Sequence, residues 1–199
     1  MALINRRTDG YGGPLENRCR FLLEVYNRVR FQVGPDFPIF AKLNGSDNLE
    51  GGLDINDAVY AARLLDKEKI DAIEVSSGTS ASGEKNPVRI KIDKPDREAY
   101  NLALAREIKK AVQCPIMVVG GFRSPEVINK AVIEDGIDYI SMARPFIREP
   151  RLINRWKEGD LSPARCISCN GCFRPGLKEG GIYCVVEKKE SRKRTARPI

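Results

Sequence analysis

The strongest constraint on this chain is a pair of short apolar runs, each ending in a loop suited to an anion, with one helical segment between them. Ile116-Met117-Val118-Val119 runs into Gly120-Gly121-Phe122, and Tyr139-Ile140-Ser141-Met142 runs into Ala143-Arg144-Pro145. Short apolar runs bounded by turn residues read as strands buried on both faces, the habit of parallel sheets. Gly120 and Gly121 take the Cβ out of the way of an approaching phosphate. Ser124 as N-cap and Pro125 at the first helical position would aim the positive end of the next helix nearby. The Ala143 and Arg144 amides, with the guanidinium of Arg144, would complete the grip. The last two strands of a (β/α)8 barrel hold phosphate in this way. A plain βα turn and a surface ion pair are the alternatives for the same residues.

The rest of the chain continues the alternation. Phe21, Leu22, Val25 and Val29 recur at helical spacing over 15–33, and Gly34-Pro35 stops that helix. A strand is expected over 37–43 and a helix over 55–68 with Asp54 as N-cap. A strand over 72–75 leads into a long loop rich in Ser, Gly and Lys, to about residue 95. Helices over 97–112, 125–134 and 152–158 and strands over 116–119 and 139–142 complete the pattern. Strict alternation implies a parallel sheet with right-handed crossovers. A barrel and an open doubly wound sheet both fit, but no G-x-G-x-x-G follows the first strand, which counts against a dinucleotide fold. A complete barrel takes roughly 250 residues, and these 199 residues carry four strands.

The chain has six cysteines and no histidine, so proton chemistry falls to Tyr, Lys, Asp, Glu or Cys. Hydrophobic residues make up 42%, enough for a core. No apolar run approaches the roughly 20 residues that span a bilayer, and the first seven residues turn polar too quickly for a secretory signal; a cytoplasmic location and no membrane partner are expected. Much of the net charge of +7 sits in Lys188 to Arg197. Such a tail either contacts nucleic acid or is a solvated terminus; without interleaved aromatics the second is favoured.

Asn5-Arg6-Arg7-Thr8-Asp9-Gly10-Tyr11-Gly12-Gly13 with Glu16-Asn17-Arg18 resembles the segment after barrel strand 4 in the old yellow enzyme (NADH:flavin oxidoreductase) family. Lys42-Leu43-Asn44, Gly51-Gly52, Val75-Ser76-Ser77-Gly78, Gly120-Gly121, Ala143-Arg144-Pro145 and the cysteine run from Cys166 keep that family's order. The resemblance implies an α/β fold, the C-terminal half (strands 5–8) of a (β/α)8 TIM barrel. It implies FMN as cofactor, and hydride passed from NAD(P)H through flavin N5 to a small unsaturated acceptor. Lys42 would sit against the flavin N1–C2=O edge; Gly120, Gly121, Ala143 and Arg144 would hold the phosphate. The family's polar pair for the substrate carbonyl belongs to the other half, so no catalytic residue is assigned. Tyr11 lies near the mouth of the site in this comparison, without an assigned role.

Cys166, Cys169, Cys172 and Cys184 are dense enough to favour a metal site over disulfides in a cytosolic chain. Relatives similar to 2,4-dienoyl-CoA reductase hold a [4Fe-4S] cluster with one more residue between the second and third cysteines. That departure leaves [4Fe-4S], zinc and unligated thiols open. Cys19 and Cys114 are expected to be packing residues. The expected division is a half-barrel FMN region over 1–160, a Cys-rich segment over 161–187 and a basic tail without fixed structure over 188–199. Two open sheet edges call for a homo-oligomer or a missing N-terminal half. The competing reading is a non-enzymatic Fe–S or zinc module with a basic tail on nucleic acid.

Overall fold

The computed structural model describes residues 3–195. Four strands, β1 (Phe40–Asn44), β2 (Ala72–Ser76), β3 (Ile116–Val119) and β4 (Tyr139–Ser141), form one sheet in that order, and every neighbouring pair is parallel. Helix α1 (Leu15–Val33) precedes β1; α2 (Ile55–Lys67), α3 (Leu102–Lys109) and α4 (Pro125–Ile133) make the crossovers. After β4 come α5 (Arg144–Arg148), α6 (Leu152–Lys157), α7 (Phe173–Lys178) and α8 (Val185–Thr195). Among the described residues no helix is long and apolar enough to cross a membrane.

Alternation along the strands sorts the two faces. Ile73, Val75, Ile116 and Val118 point to the helices and pack on Ala58, Ala62, Leu65, Ala105 and Ile108. Burial of Leu65 alone contributes about 2 kcal/mol. The other face carries a different set. Register places Lys42 beside Glu74, Glu74 beside Met117 and Met117 beside Tyr139 in one row. Phe40 and Tyr139 on this face are 61% and 58% exposed. Rows of this kind fill the interior of a closed barrel, and here the row stands open on the concave side.

The N-terminal signature is a knot of side-chain-to-carbonyl bonds. Asn5 Nδ2 donates to Tyr11 O, Asn17 Nδ2 to Gly12 O, Arg18 Nε to Gly13 O and Arg20 Nε to Gly10 O. A Cβ on Gly12 would lie 1.9 Å from Arg7 O. The residues that carry the family resemblance are therefore those that close this turn onto α1. Tyr11 spends its hydroxyl on Glu24.

A second device repeats along the sheet. Asp71 N donates to Ile39 O while Ile39 N donates to the Asp71 carboxylate at 2.7 Å. Asp138 N donates to Ile116 O while Ile116 N donates to the Asp138 carboxylate at 2.7 Å. Each aspartate precedes a strand and clamps the start of the strand before it. The Ile39 N–H, and after it Arg30, hold the Asp71 carboxyl below its ordinary range. Burial alone would raise Asp138, but the Ile116 N–H and the Lys109 ammonium outweigh it and hold that carboxyl low as well.

A carboxyl whose pKa is depressed by folding adds stability above its unfolded value of about 3.9, and that stability is lost as pH falls through the folded value. Stability measured in urea should therefore hold level from about pH 7 to pH 5 and fall below about pH 4. In Asp71→Asn the acid fall should be shallower; an unchanged slope would show that the clamp carries no titrating stability.

Several expected boundaries moved. The helix expected over 97–112 spans Leu102–Lys109, preceded by a 3-10 turn over Pro95–Arg97. Ala99 has φ +52°, which no helix accepts, and Glu98 is withdrawn to serve another loop. The strand expected from residue 37 begins at Phe40, because Arg30 Nη1 holds the Gly34, Pro35 and Phe37 carbonyls in a turn. The tail expected to lack structure from residue 188 is helical through Thr195 within α8, with Arg148 pairing to Glu187 and Glu190. Residues 196–199, Arg197 among them, lie outside the described residues.

Candidate functional site: a cavity at the carboxyl ends of the strands

A cavity of 610 Å³ opens where the loops after the four strands meet. Its wall runs from Lys42, Asn44 and Ser76 at one side to Gly121, Ala143 and Arg144 at the other, with Val88, Phe122 and Phe173 supplying apolar surface. In an α/β fold with parallel strands, ligands bind at this end. Five residues were expected to hold a flavin; four of them, Lys42, Gly121, Ala143 and Arg144, line this one cavity.

Gly120 does not line it. A Cβ there would face the Asn101 backbone N at 3.1 Å and Tyr100 N at 3.3 Å, and Gly120 O accepts from Tyr100 N. The missing side chain makes room for the protein's own loop before α3. Gly121, at φ +76°, has the left-handed backbone glycine accepts without cost, and a Cβ would press on the Tyr100 ring at 3.0 Å.

The start of α4 also differs from expectation. The Ser124 side chain makes no cap bond; its Oγ donates to Glu98 Oε1 at 2.6 Å. Glu98 Oε2 accepts from Arg123 N and Ser124 N at 2.8 and 2.9 Å. Glu98 is 6% exposed and Ser124 5%. A buried carboxylate thus occupies the helix terminus expected to face a phosphate, by the same attraction of helix N–H groups for an anion. The anion contacts left to a ligand are the Gly121, Ala143 and Arg144 amides, which have no hydrogen-bond partner among the described residues, and the Arg144 side chain.

Arg144 Nη1 donates to Arg89 O at 2.8 Å and to Asn170 Oδ1 at 2.6 Å. Arg89 stacks on the Tyr100 ring at 4.2 Å, and the Tyr100 hydroxyl donates to Pro87 O. Burial pushes the Tyr100 phenol up, against the pull of the Arg144 and Arg89 charges. Arg123, beside the glycines, turns away to the Ile92 and Ala164 carbonyls at 2.8 Å each. Lys42 pairs with Glu74 at 3.0 Å and stays 56% exposed on the concave face.

Glu98, Asn170 and Arg89 were missed in the sequence. No local pattern marks them, since each acts on a partner far along the chain. Asp54 caps α2 as expected, accepting from Asn56 N and Asp57 N.

The residues present fit a phosphate-bearing flavin. Gly121, Ala143 and Arg144, whose amides have no hydrogen-bond partner among the described residues, line one side of the cavity, apolar residues line part of the wall, and Lys42 stands at the other side. The cysteines fit a metal less well. Cys166, Cys172 and Cys184 are half-buried and Cys169 is exposed. Among the described residues no three His, Cys, Asp or Glu side chains converge to hold a metal ion. Burial raises the Cys172 thiol, and the neighbouring Cys166 and Cys169 add to the rise. Arg148 Nη1 lies 3.8 Å from Cys184 Sγ. Cys19 and Cys114 are buried, and burial with Asp66 pushes the Cys114 thiol up to about 12.

Comparisons with known proteins identify the family. Residues 1–161 match the model of the NADH:flavin oxidoreductase / NADH oxidase family. NADH oxidase of Thermoanaerobacter brockii is 35% identical over 173 residues, covering 85% of this chain and 26% of that protein. A metal reductase of Desulforamulus reducens is 32% identical over 192 residues, covering 96% of this chain and 28% of its own length. A 2-naphthoyl-CoA reductase structure superposes with TM-score 0.76 at 36% identity, over 87% of this chain and 26% of that one. The chain spans about a quarter of the length of these relatives. In sequence and fold it belongs to the NADH:flavin oxidoreductase / NADH oxidase family.

Proposed function

We propose that this chain supplies the phosphate-holding half of an FMN-dependent NAD(P)H oxidoreductase that acts on a small unsaturated acceptor. The observation that carries this is the single cavity that brings Gly121, Ala143 and Arg144 together with Lys42. Bound FMN would supply two-electron transfer between a nicotinamide donor and the acceptor. The chain's own residues do the holding. Arg144 and the Gly121, Ala143 and Arg144 amides take the phosphate, and the apolar wall excludes water from the ring. Lys42 offers a positive charge on the side of the cavity away from the phosphate, moderated by Glu74.

The open concave row and the edges of β1 and β4, unpaired among the described residues, support the view that the working enzyme has more sheet than these four strands, from further βα units or a second copy. This chain by itself should therefore hold flavin without turning over NADH faster than free FMN does. Fluorescence titration checks the first part. FMN should bind at least about tenfold more tightly than riboflavin, which lacks the phosphate. Equal affinities would defeat the phosphate assignment. NADH oxidation by the chain alone would defeat the claim that it is incomplete.

A narrower reading concerns the cysteines. Cys166, Cys169, Cys172 and Cys184 supply the right chemistry for an iron–sulfur cluster or zinc, but the loop must close for their sulfurs to meet. Metal analysis of protein purified without oxygen decides between a loaded site and free thiols.

A further inference from the structure

The cysteine segment reaches the cavity through one residue. Asn170, between Cys169 and Cys172, accepts from Arg144 Nη1 at 2.6 Å and donates from Nδ2 to Val88 O at 2.8 Å. Its φ of +58° lies in the left-handed region, which asparagine enters more readily than most residues. The next residue, Gly171, has no room for a side chain, because a Cβ would lie 2.6 Å from Val185 Cγ2 at the start of α8. The loop is thus held by α8 on one side and by the Asn170 amide on the other.

That amide has only one useful orientation. Its oxygen faces a guanidinium donor and its nitrogen faces a carbonyl acceptor, so a flip would set donor against donor and acceptor against acceptor. Arg144 Nη1 is shared between Asn170 and the Arg89 carbonyl. Two acceptors on one nitrogen fix the plane of the guanidinium. Its Nη2 and Nε have no protein acceptor among the described residues and remain available to an anion.

We propose that Asn170 is a positioning residue for phosphate binding, and that through it the cysteine segment and the flavin phosphate are linked. The inference rests on the flavin-phosphate reading above. Asn170 carries no charge and does not line the cavity; it acts by holding Arg144 in a ready-made geometry, which spares the ordering cost on binding. Any event that moves the loop between Cys169 and Cys172 releases Arg144 and weakens the phosphate grip.

The test uses FMN and riboflavin with the full chain. Asn170→Gly keeps the left-handed backbone and removes only the amide. Its dissociation constant for FMN should rise about fivefold, while that for riboflavin stays within about twofold. In an Arg144→Ala background the same change should have no further effect on FMN, as residues acting through one another are not additive. Asn170→Asp, which pairs with Arg144 and repels phosphate, should weaken FMN by at least about tenfold. FMN affinity unchanged in both variants, or FMN and riboflavin weakened alike, overturns the proposal. A wild-type chain that does not distinguish FMN from riboflavin defeats the reading beneath it, and this inference with it.

Discussion

Arg144→Glu should raise the dissociation constant for FMN about a hundredfold and leave riboflavin nearly untouched. The wild-type guanidinium is held by the Arg89 carbonyl and Asn170, with two nitrogens free of acceptors among the described residues. A hydrogen bond between ionised partners is worth about 1.5–3 kcal/mol. Reversing the sign adds repulsion in a partly enclosed site, so the loss should exceed that of one bond. Arg144→Ala should fall between the two. A charge reversal that weakens FMN less than about threefold would show that the phosphate lies elsewhere. The riboflavin control separates this from a damaged cavity, since a disordered wall would weaken both ligands.

Glu98→Ala should destabilise the chain by about 3 kcal/mol. The carboxylate accepts from Arg123 N, Ser124 N and Ser124 Oγ in a site closed to water. Alanine leaves three donors without partners, and each buried unmade bond costs about 1–3 kcal/mol before relaxation. Glu98→Gln keeps the size but offers one oxygen instead of two, so it should lose less. Urea unfolding measures both. A change in Glu98→Ala below about 0.5 kcal/mol would mean that water replaces the carboxylate freely. Because the bonded loop carries Gly121, FMN binding should weaken in the same variant.

The sequence made some of this structure legible and hid the rest for identifiable reasons. Strand β3 lies at the expected Ile116–Val119, and α2 begins where Asp54 marked it, because those signals are local. The parallel order of strands follows from strict alternation. The cavity residues Gly121, Ala143 and Arg144 were marked by type and position at strand ends, and Lys42 by the family resemblance. What pairs them was not legible. Glu74 became the neighbour of Lys42 only through sheet register, and Asn170 meets Val88 across 82 positions of chain. Gly120 was marked as making room for a phosphate, but the close approach there is the Asn101 backbone's. Helix α5 starts within two residues of β4 and has only five residues, too few to show a period. Helix α8 is charged along most of its length, so it reads as tail until its contacts with Arg148 are seen.

The paired aspartate clamps have a consequence for how this protein can change over time. Asp71 and Asp138 fasten the amino-terminal rim of the sheet, while everything that meets a ligand hangs from the opposite rim. Mutations that reshape the binding loops leave these fastenings alone, so new ligand preferences can be tried without loosening the frame. The same separation means that acid attacks the molecule from its silent side, undoing the scaffold at the rim away from the ligand.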